Sequence, residues 1–284
     1  MTWNGAAPPE LPAPGPLGRL RQVLRGGAAL VWLAGMFAIF LAARGIDLAV
    51  KALVRRGPPA LAPFVVQGWA FGMLALMGLR FRRMGAPMAH PGAVVANHAG
   101  WLDIVVMMRA MRIFFVSKSE VAGWPGIGQI GRAIGTMFID RRPLEARRQT
   151  EALHARLIRG DRLCLFPEGT STDGRQVLAF KSALFAVLVA PDLKDRLWVQ
   201  PVTIRYAPGE GLPPETHAWW GEMDFASHAA RLLALPRGAE VRVTFHPPLR
   251  AADFEDRKTL AAAAETAVRR GWAEGLDREG RPGV

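Results

Sequence analysis

Residues 93–111 read Ala-Val-Val-Ala-Asn-His-Ala-Gly-Trp-Leu-Asp-Ile-Val-Val-Met-Met-Arg-Ala-Met, and the fold class turns on them. The short apolar run Ala93–Ala96 predicts a buried strand. Asn97 to Trp101, with Gly100 inside, predicts a turn. Leu102–Met111 is apolar on most sides and predicts a buried helix. A strand that passes through a polar turn into a helix is the unit of an α/β fold. The alternation repeats down the chain. Ile113–Val116, Thr136–Ile139, Leu163–Phe166, Trp198–Arg205 and Glu240–Phe245 read as strands. Pro143–Arg159 opens on proline and stops before Gly160, as a helix does. Phe180–Val189 and the alanine-rich Asp253–Trp272 are further helical candidates. The expectation is an α/β domain with a mostly parallel central sheet flanked by helices.

The turn carries chemistry. His98 and Asp103 are five apart, which on a regular helix puts side chains about 140° apart. With His98 in the turn and Asp103 in the first winding of the helix, the two can meet. A carboxylate that holds one imidazole nitrogen leaves the other free to take a proton from a hydroxyl. The alternative is a helix-capping turn with an incidental histidine. Two more strand ends hold polar clusters. Phe166-Pro167-Glu168-Gly169-Thr170-Ser171 supplies a carboxylate, a tight turn and hydroxyl donors, suited to a polyhydroxyl or anionic headgroup or simply to a β-to-α connection. Gly135-Thr136-Met137-Phe138-Ile139-Asp140-Arg141-Arg142 places cations at another strand end, either as the rim of one pocket or as solvated arginines.

Upstream, the pattern differs. Residues 5–18 hold five prolines and one charge and read as a flexible leader. Gly26–Ala43 is uncharged over 18 residues and Gly57–Leu79 over 23. As helices they would reach roughly 27 Å and at most roughly 34 Å, against a hydrocarbon core of about 30 Å. Arginine and lysine clusters flank both. If both segments spanned, the middle cluster (Arg44, Lys51, Arg55, Arg56) would face the opposite side from the other two, against the positive-inside tendency. A two-helix hairpin lying in one leaflet keeps every cluster beside anionic headgroups. One or two true spans, or a soluble hairpin, are the alternatives.

Composition narrows the classes. There are 36 Lys+Arg against 24 Asp+Glu, a formal charge of +12, which suits an anionic partner. A lone cysteine, Cys164, excludes a disulfide scaffold and a Cys-rich zinc site. Its apolar neighbours read it as a buried hydrophobe. A single tyrosine gives little support to a stacking platform, so no nucleic-acid partner is expected.

Taken together, the clusters resemble the 1-acylglycerol-3-phosphate acyltransferase family of lysolipid acyltransferases. His98 with Asp103 matches H-x-x-x-x-D. Gly135 to Arg141 matches G-x-x-F-I-D-R, Phe166 to Thr170 matches F-P-E-G-T, and Val199-Gln200-Pro201-Val202 falls near the last block. Val116 to Val121 resembles the S-K-x-E segment. The resemblance covers about residues 75–250. It implies a transferase without metal, cofactor or covalent intermediate. His98 would be the general base and Asp103 its orienting partner. Glu168, Gly169, Thr170 and Ser171 would bind the acceptor, with Lys118 and Arg141 at an acceptor phosphate. The donor would be a thioester of acyl-carrier protein or coenzyme A, and membrane lipids the surroundings. Leader 1–18, membrane-associated hairpin 19–85, acyltransferase domain 86–275 and tail 276–284 are the expected divisions, at the cytoplasmic face of a bacterial inner membrane.

One position departs. Phosphate-acceptor members read F-P-E-G-T-R, whereas here Ser171 follows threonine and Asp173 follows soon after. A phosphate dianion favours a guanidinium there. The stretch Glu168 to Phe185 looks more like the bacterial lyso-ornithine lipid acyltransferases, whose acceptor head is zwitterionic. Lyso-ornithine lipid is therefore the expected acceptor, with lysophosphatidate second. A serine hydrolase would need G-x-S-x-G, and 169–174 miss that spacing. A non-catalytic membrane-binding protein would explain the charge but not the three strand-end clusters.

Overall fold

The computed structural model describes residues 3, 5, 7–9, 13–54, 60–140 and 143–279, side chains of 143–147 and 275–279 excepted. Its centre is an eight-stranded sheet in the order β1-β7-β6-β2-β5-β3-β4, with β8 beside β6. The strands are β1 (Arg80–Met84), β2 (Gly92–Ala96), β3 (Phe114–Lys118), β4 (Met137–Ile139), β5 (Arg162–Leu165), β6 (Trp198–Ala207), β7 (Glu240–Phe245) and β8 (Leu249–Arg250). All pairings are parallel except those of β6 with β7 and β8. This is the mostly parallel sheet that the alternation predicted.

Side chains alternate across β2 with period two. Val94 and Ala96 face one core with Cys164, Val202 and Ile204, under α2 (Ala62–Leu76) and α3 (Leu102–Ala110). Ala93 and Val95 face the other, with Leu163, Leu165, Leu260 and Val268, under α7 (Arg257–Glu279). All five residues of β2 are buried, which is why that strand reads as a continuous apolar run. Cys164 is a free, fully buried thiol in the first core.

Several boundaries move. β1 reads in sequence as a charge cluster closing the hairpin, yet Arg80–Met84 pairs in register with β7, so the hairpin region ends before residue 80. Arginines suit this strand because it lies at the sheet's edge, where charge discourages further pairing; Arg82 pairs with Glu240 at 2.7 Å. Ser182–Val189 winds as a 3-10 helix in place of the expected α-helix. Its period of three sets Phe185 and Leu188, both 0% exposed, on one side. α4 (Ile127–Ala133) and α6 (Phe225–Ala234) were not anticipated; α5 (Pro143–Ile158) was. α7 starts at Arg257 rather than Asp253 and runs into the expected tail as far as Glu279.

The N-terminal region is a helical hairpin. α1 (Pro16–Leu53) has 38 residues, about 57 Å at 1.5 Å each. α2 has 15, about 22 Å, short of a bilayer core of about 30 Å. Asp47 makes the turn: its two oxygens accept from the N–H groups of Leu61 (2.7 Å) and Ala62 (3.0 Å), capping α2. The other end of α1 is tied to the last turn of α6. Arg21 donates to the Ala234 carbonyl (3.2 Å) and Arg25 to those of Leu233 (3.3 Å) and Leu235 (2.7 Å). α1 therefore lies along the domain. Its outer face leaves Val23, Leu30 and Val31 in solvent, and only 11% of its most apolar window is buried.

Candidate active site

β2 ends at Ala96, and Asn97 prolongs its pairing through the side chain. Nδ2 donates to the Ile204 carbonyl and Oδ1 accepts from the Ile204 N–H, each at 2.8 Å. The backbone is anchored one residue before His98. The following turn is tight: a Cβ on Gly100 would meet the Trp219 backbone nitrogen at 2.8 Å, and the Trp219 N–H donates to the Ala99 carbonyl at 2.8 Å.

His98 Nδ1 lies 2.8 Å from Asp103 Oδ2. The same oxygen accepts from the N–H groups of Ala99 (2.7 Å) and Gly100 (3.0 Å). Oδ1 accepts from the Tyr206 hydroxyl at 2.7 Å. Asp103 is fully buried. A carboxylate only accepts, so Nδ1 carries the proton of the neutral ring. Nε2 is left with its lone pair and has no partner among the described residues. The imidazole stacks on Phe166, centroids 4.1 Å apart at 17°, and its side chain is 19% exposed. The pair that the sequence spacing allowed is therefore formed, with one nitrogen held and the other open.

Tyr206 went unnoticed in the sequence. It sits on β6, parallel to β2 and paired Val202 to Ala96, four residues beyond that pair. Burial first, then the Asp103 charge, pushes its phenol well above the usual range, so it stays a donor. His217 stacks on it, 5.6 Å away at 8°. Burial lowers the imidazoles of His217 and His228 to about 4. His228 Nδ1 accepts from Trp101 Nε1 at 3.0 Å. Neutral rings thus back the carboxylate on this side, and neither histidine competes with His98 for it.

The second cluster closes over the first. Glu168, 1% exposed, accepts from the His98 N–H through Oε1 (2.8 Å) and from the Leu178 N–H through Oε2 (3.0 Å). Burial pushes its carboxyl up to about 8, against the pull of those two donors. The side chain expected at the acceptor holds the backbone of the base. Gly169 adopts φ +70°, and a Cβ there would meet Lys181 Nζ at 2.5 Å. Thr170 Oγ1 accepts from the Trp3 N–H at 3.1 Å and donates to the Ser171 carbonyl at 3.2 Å. The half-buried Ser171 hydroxyl has no partner among the described residues. Thr172 N–H donates to the His98 carbonyl at 3.0 Å. Asp173 Oδ1 accepts from the Arg175 N–H at 3.0 Å, so its carboxylate shapes the loop.

Lys118 ends β3 and is half-buried, opposite Ile139 of β4. Strand order places the ends of β2, β5, β3 and β4 in line along one sheet edge. His98, Glu168 and Lys118 follow in that order, about 5 Å per strand. Arg141 lies outside the described residues. Gln200, from the fourth block, sits away from this edge; it accepts from the Met88 N–H and donates to the Ala86 and His246 carbonyls.

A family model described as "Acyltransferase" matches residues 80–205. A lyso-ornithine lipid O-acyltransferase of Rhodobacter capsulatus is 47% identical over 273 residues, covering 96% of this chain and 97% of the relative. The chain belongs to the acyltransferase family. A Pseudomonas aeruginosa protein of the same name is 32% identical over 89% of this chain and 94% of its own length. A 1-acyl-sn-glycerol-3-phosphate acyltransferase of Neisseria meningitidis is 30% identical over 72% of this chain and 80% of its own. In fold, this acyltransferase is similar to the crystal structure of a 1-acyl-sn-glycerophosphate acyltransferase from Thermotoga maritima. The TM-score is 0.61 at 20% identity, covering 94% of this chain and all of that one.

Proposed function

We propose that this acyltransferase moves a fatty acyl group from a thioester to the free hydroxyl of lyso-ornithine lipid, forming ornithine lipid. Lysophosphatidate would be a second acceptor, giving phosphatidate. The observation that carries the choice is the 47% likeness to the Rhodobacter protein along nearly the full length of both chains. Ser171 in place of the phosphate-binding arginine agrees with it.

In this reading, His98 Nε2 accepts the proton of the acceptor hydroxyl as its oxygen attacks the thioester carbonyl. Asp103, 2.8 Å from Nδ1, stabilises the imidazolium that forms. The tetrahedral adduct collapses, the carbon–sulfur bond breaks, and the imidazolium returns the proton to the leaving thiolate. The products are an ester and a free thiol of acyl-carrier protein or coenzyme A. No external oxidant or metal enters the balance. Glu168 fixes the His98 backbone, and Gly169, Thr170 and Ser171 face the acceptor head. Lys118 and Arg141 hold the phosphate when lysophosphatidate binds. The hairpin lies in the cytoplasmic leaflet of the inner membrane. A 22 Å α2, and an α1 bonded near its start to the end of α6 and near its end to the head of α2, support an in-plane seat over a span.

The test is acyl transfer by purified enzyme with both lysolipids and both donors, repeated for Ser171→Arg. A charge-assisted bond to phosphate contributes about 1.5–3 kcal/mol. The substitution should therefore move the kcat/KM ratio toward lysophosphatidate by roughly ten- to hundredfold. Efficient wild-type acylation of lysophosphatidate with none of lyso-ornithine lipid would overturn the acceptor assignment.

A further inference from the structure

A groove lies at the end of the sheet away from His98. It has a volume of about 330 Å³ and is formed by the end of α1, the start of α2 and the N-terminal ends of β3, β4 and β5. Roughly 16 Å of sheet, the length of β2, separates it from His98. We propose that this groove binds the phosphate of an anionic membrane lipid, apart from the acyl-transfer site and whatever the acceptor there. The proposal rests on the reading that the hairpin lies at a membrane surface.

Four cations line the groove: Arg44 and Lys51 from α1, Arg112 after α3, and Arg162 at the start of β5. Two carboxylates line it too, and both are engaged elsewhere. Asp47 caps α2 through both oxygens. Asp161 is paired with Arg156 and, at 3.5 Å, with Arg159. Arg162 donates to the Met88 carbonyl, at 2.8 Å, and Arg112 lies over the Phe64 ring, 4.6 Å from its centroid. None of the four cations forms an ion pair among the described residues. Burial, and then the nearby Arg112, lowers the Arg162 pKa. An anion placed between the two guanidiniums relieves that repulsion and offers two planar donors bidentate partners.

The walls argue for a lipid rather than a free ion. Phe40, Val66, Met108, Met111, Phe115 and Ile134 line the groove behind the cations. Its rim continues into the outer apolar residues of the hairpin, Ile46, Leu48, Leu61 and Phe64, each about half exposed. Cationic mouth, apolar depth and apolar approach match an amphiphile with a phosphate head. Phospholipid vesicles offer this; inorganic phosphate offers the head alone.

The experiment measures co-flotation with vesicles of phosphatidylcholine alone or with phosphatidylglycerol. Binding to neutral vesicles reports on the hairpin, and the ratio of anionic to neutral binding reports on the groove. Wild type should prefer the anionic vesicles. Arg112→Gln with Arg162→Gln should lower that preference at least tenfold more than Arg83→Gln with Arg148→Gln, which removes equal charge outside the groove. Acyl transfer on micellar substrates should stay within twofold. Because Arg162 also anchors the Met88 carbonyl, a second pair, Arg44→Gln with Lys51→Gln, tests the same point on exposed positions and should act in the same direction. Equal losses from the groove pair and the control pair would overturn the proposal. So would a rise in melting temperature with inorganic phosphate unaccompanied by any preference for anionic vesicles.

Discussion

Asp103→Asn keeps the shape of the side chain and removes its charge. Two amide orientations are open. With the carbonyl oxygen in the Oδ2 place, it still accepts from His98 Nδ1 and from the N–H groups of Ala99 and Gly100. The amide NH2 then meets the Tyr206 hydroxyl, which turns to accept. The reverse orientation sets NH2 against three donors in a fully buried place, leaving several unsatisfied at about 1–3 kcal/mol each. The first orientation wins, and the ring proton stays on Nδ1. What is lost is the negative charge 2.8 Å from the ring when the imidazolium forms. A hydrogen bond to a charged partner is worth about 1.5–3 kcal/mol. The expected fall in kcat is about 10- to 150-fold, with KM little changed because buried Asp103 touches no substrate. Continuous thiol detection during acyl transfer, with both substrates varied, gives the two constants. A kcat within threefold of wild type would refute the reasoning. So would a loss beyond about 10³-fold, which would mean the ring had turned or changed tautomer.

Further outcomes follow from the same geometry. His98→Ala should lower kcat by at least ~10²–10⁴-fold, as loss of a general base does, with circular dichroism and membrane association unchanged. Tyr206→Phe removes the donor to Asp103 Oδ1; kcat should drop about tenfold at constant KM, and urea melts should show a destabilisation of about 1–3 kcal/mol. His217 and His228 are held near 4 in the folded protein, against 6.5 when unfolded. The unfolded chain therefore binds more protons between those values. Their contribution is complete above pH 6.5 and declines as pH falls toward 4, by up to about 2.7 kcal/mol per pH unit for two groups, about half of it offset above pH 4.5 by Glu168, whose carboxyl is pushed up to about 8. Urea titrations from pH 7.5 to 4.5 check this, and a flat profile would contradict it. Cysteines introduced singly at 45–54 should resist an impermeant thiol reagent in intact cells, where buried Cys164 gives little background. Strong labelling from outside would show that α1 spans.

The six strands expected from the sequence form because each is a short apolar run closed by turn residues, and such runs have few other ways to be buried. β1 escaped because its arginines read as a membrane flank; only pairing with β7 makes Arg-Phe-Arg-Arg-Met a strand. α4 contains Gly128 and Gly131, each disfavouring a helix by about 1 kcal/mol. It is held instead by local tertiary contacts, among them the bond from Arg132 to the Ala122 carbonyl. In the site, His98 and Asp103 were legible because they are neighbours in sequence. Tyr206 was not, since its hydroxyl reaches Asp103 only through the register of β6 on β2, 103 residues away along the chain. Glu168 is legible as a site residue, but its bond to the His98 N–H is not. Whether a carboxylate faces a ligand or a backbone depends on burial, and residue type does not encode burial.

α3 joins the two ends of the molecule. Its nine residues span about 13 Å. Its first turn carries Asp103, and the chain leaving it brings Met111 and Arg112 to the cationic groove. Between these, Val105, Val106, Met107 and Met108 are buried between α2 and the sheet. Close-packed side chains pass on a displacement rather than absorb it. A shift of α2 along α3 therefore acts on the position of the Asp103 carboxylate, which four hydrogen bonds hold against it. Three of those four donors belong to the turn that precedes α3, and the fourth comes from β6. The dyad is thus referenced to the sheet as well as to the hairpin. On the proposed seating, this lets the hairpin bring a lysolipid hydroxyl to His98 Nε2 at the leaflet surface while the base keeps its geometry.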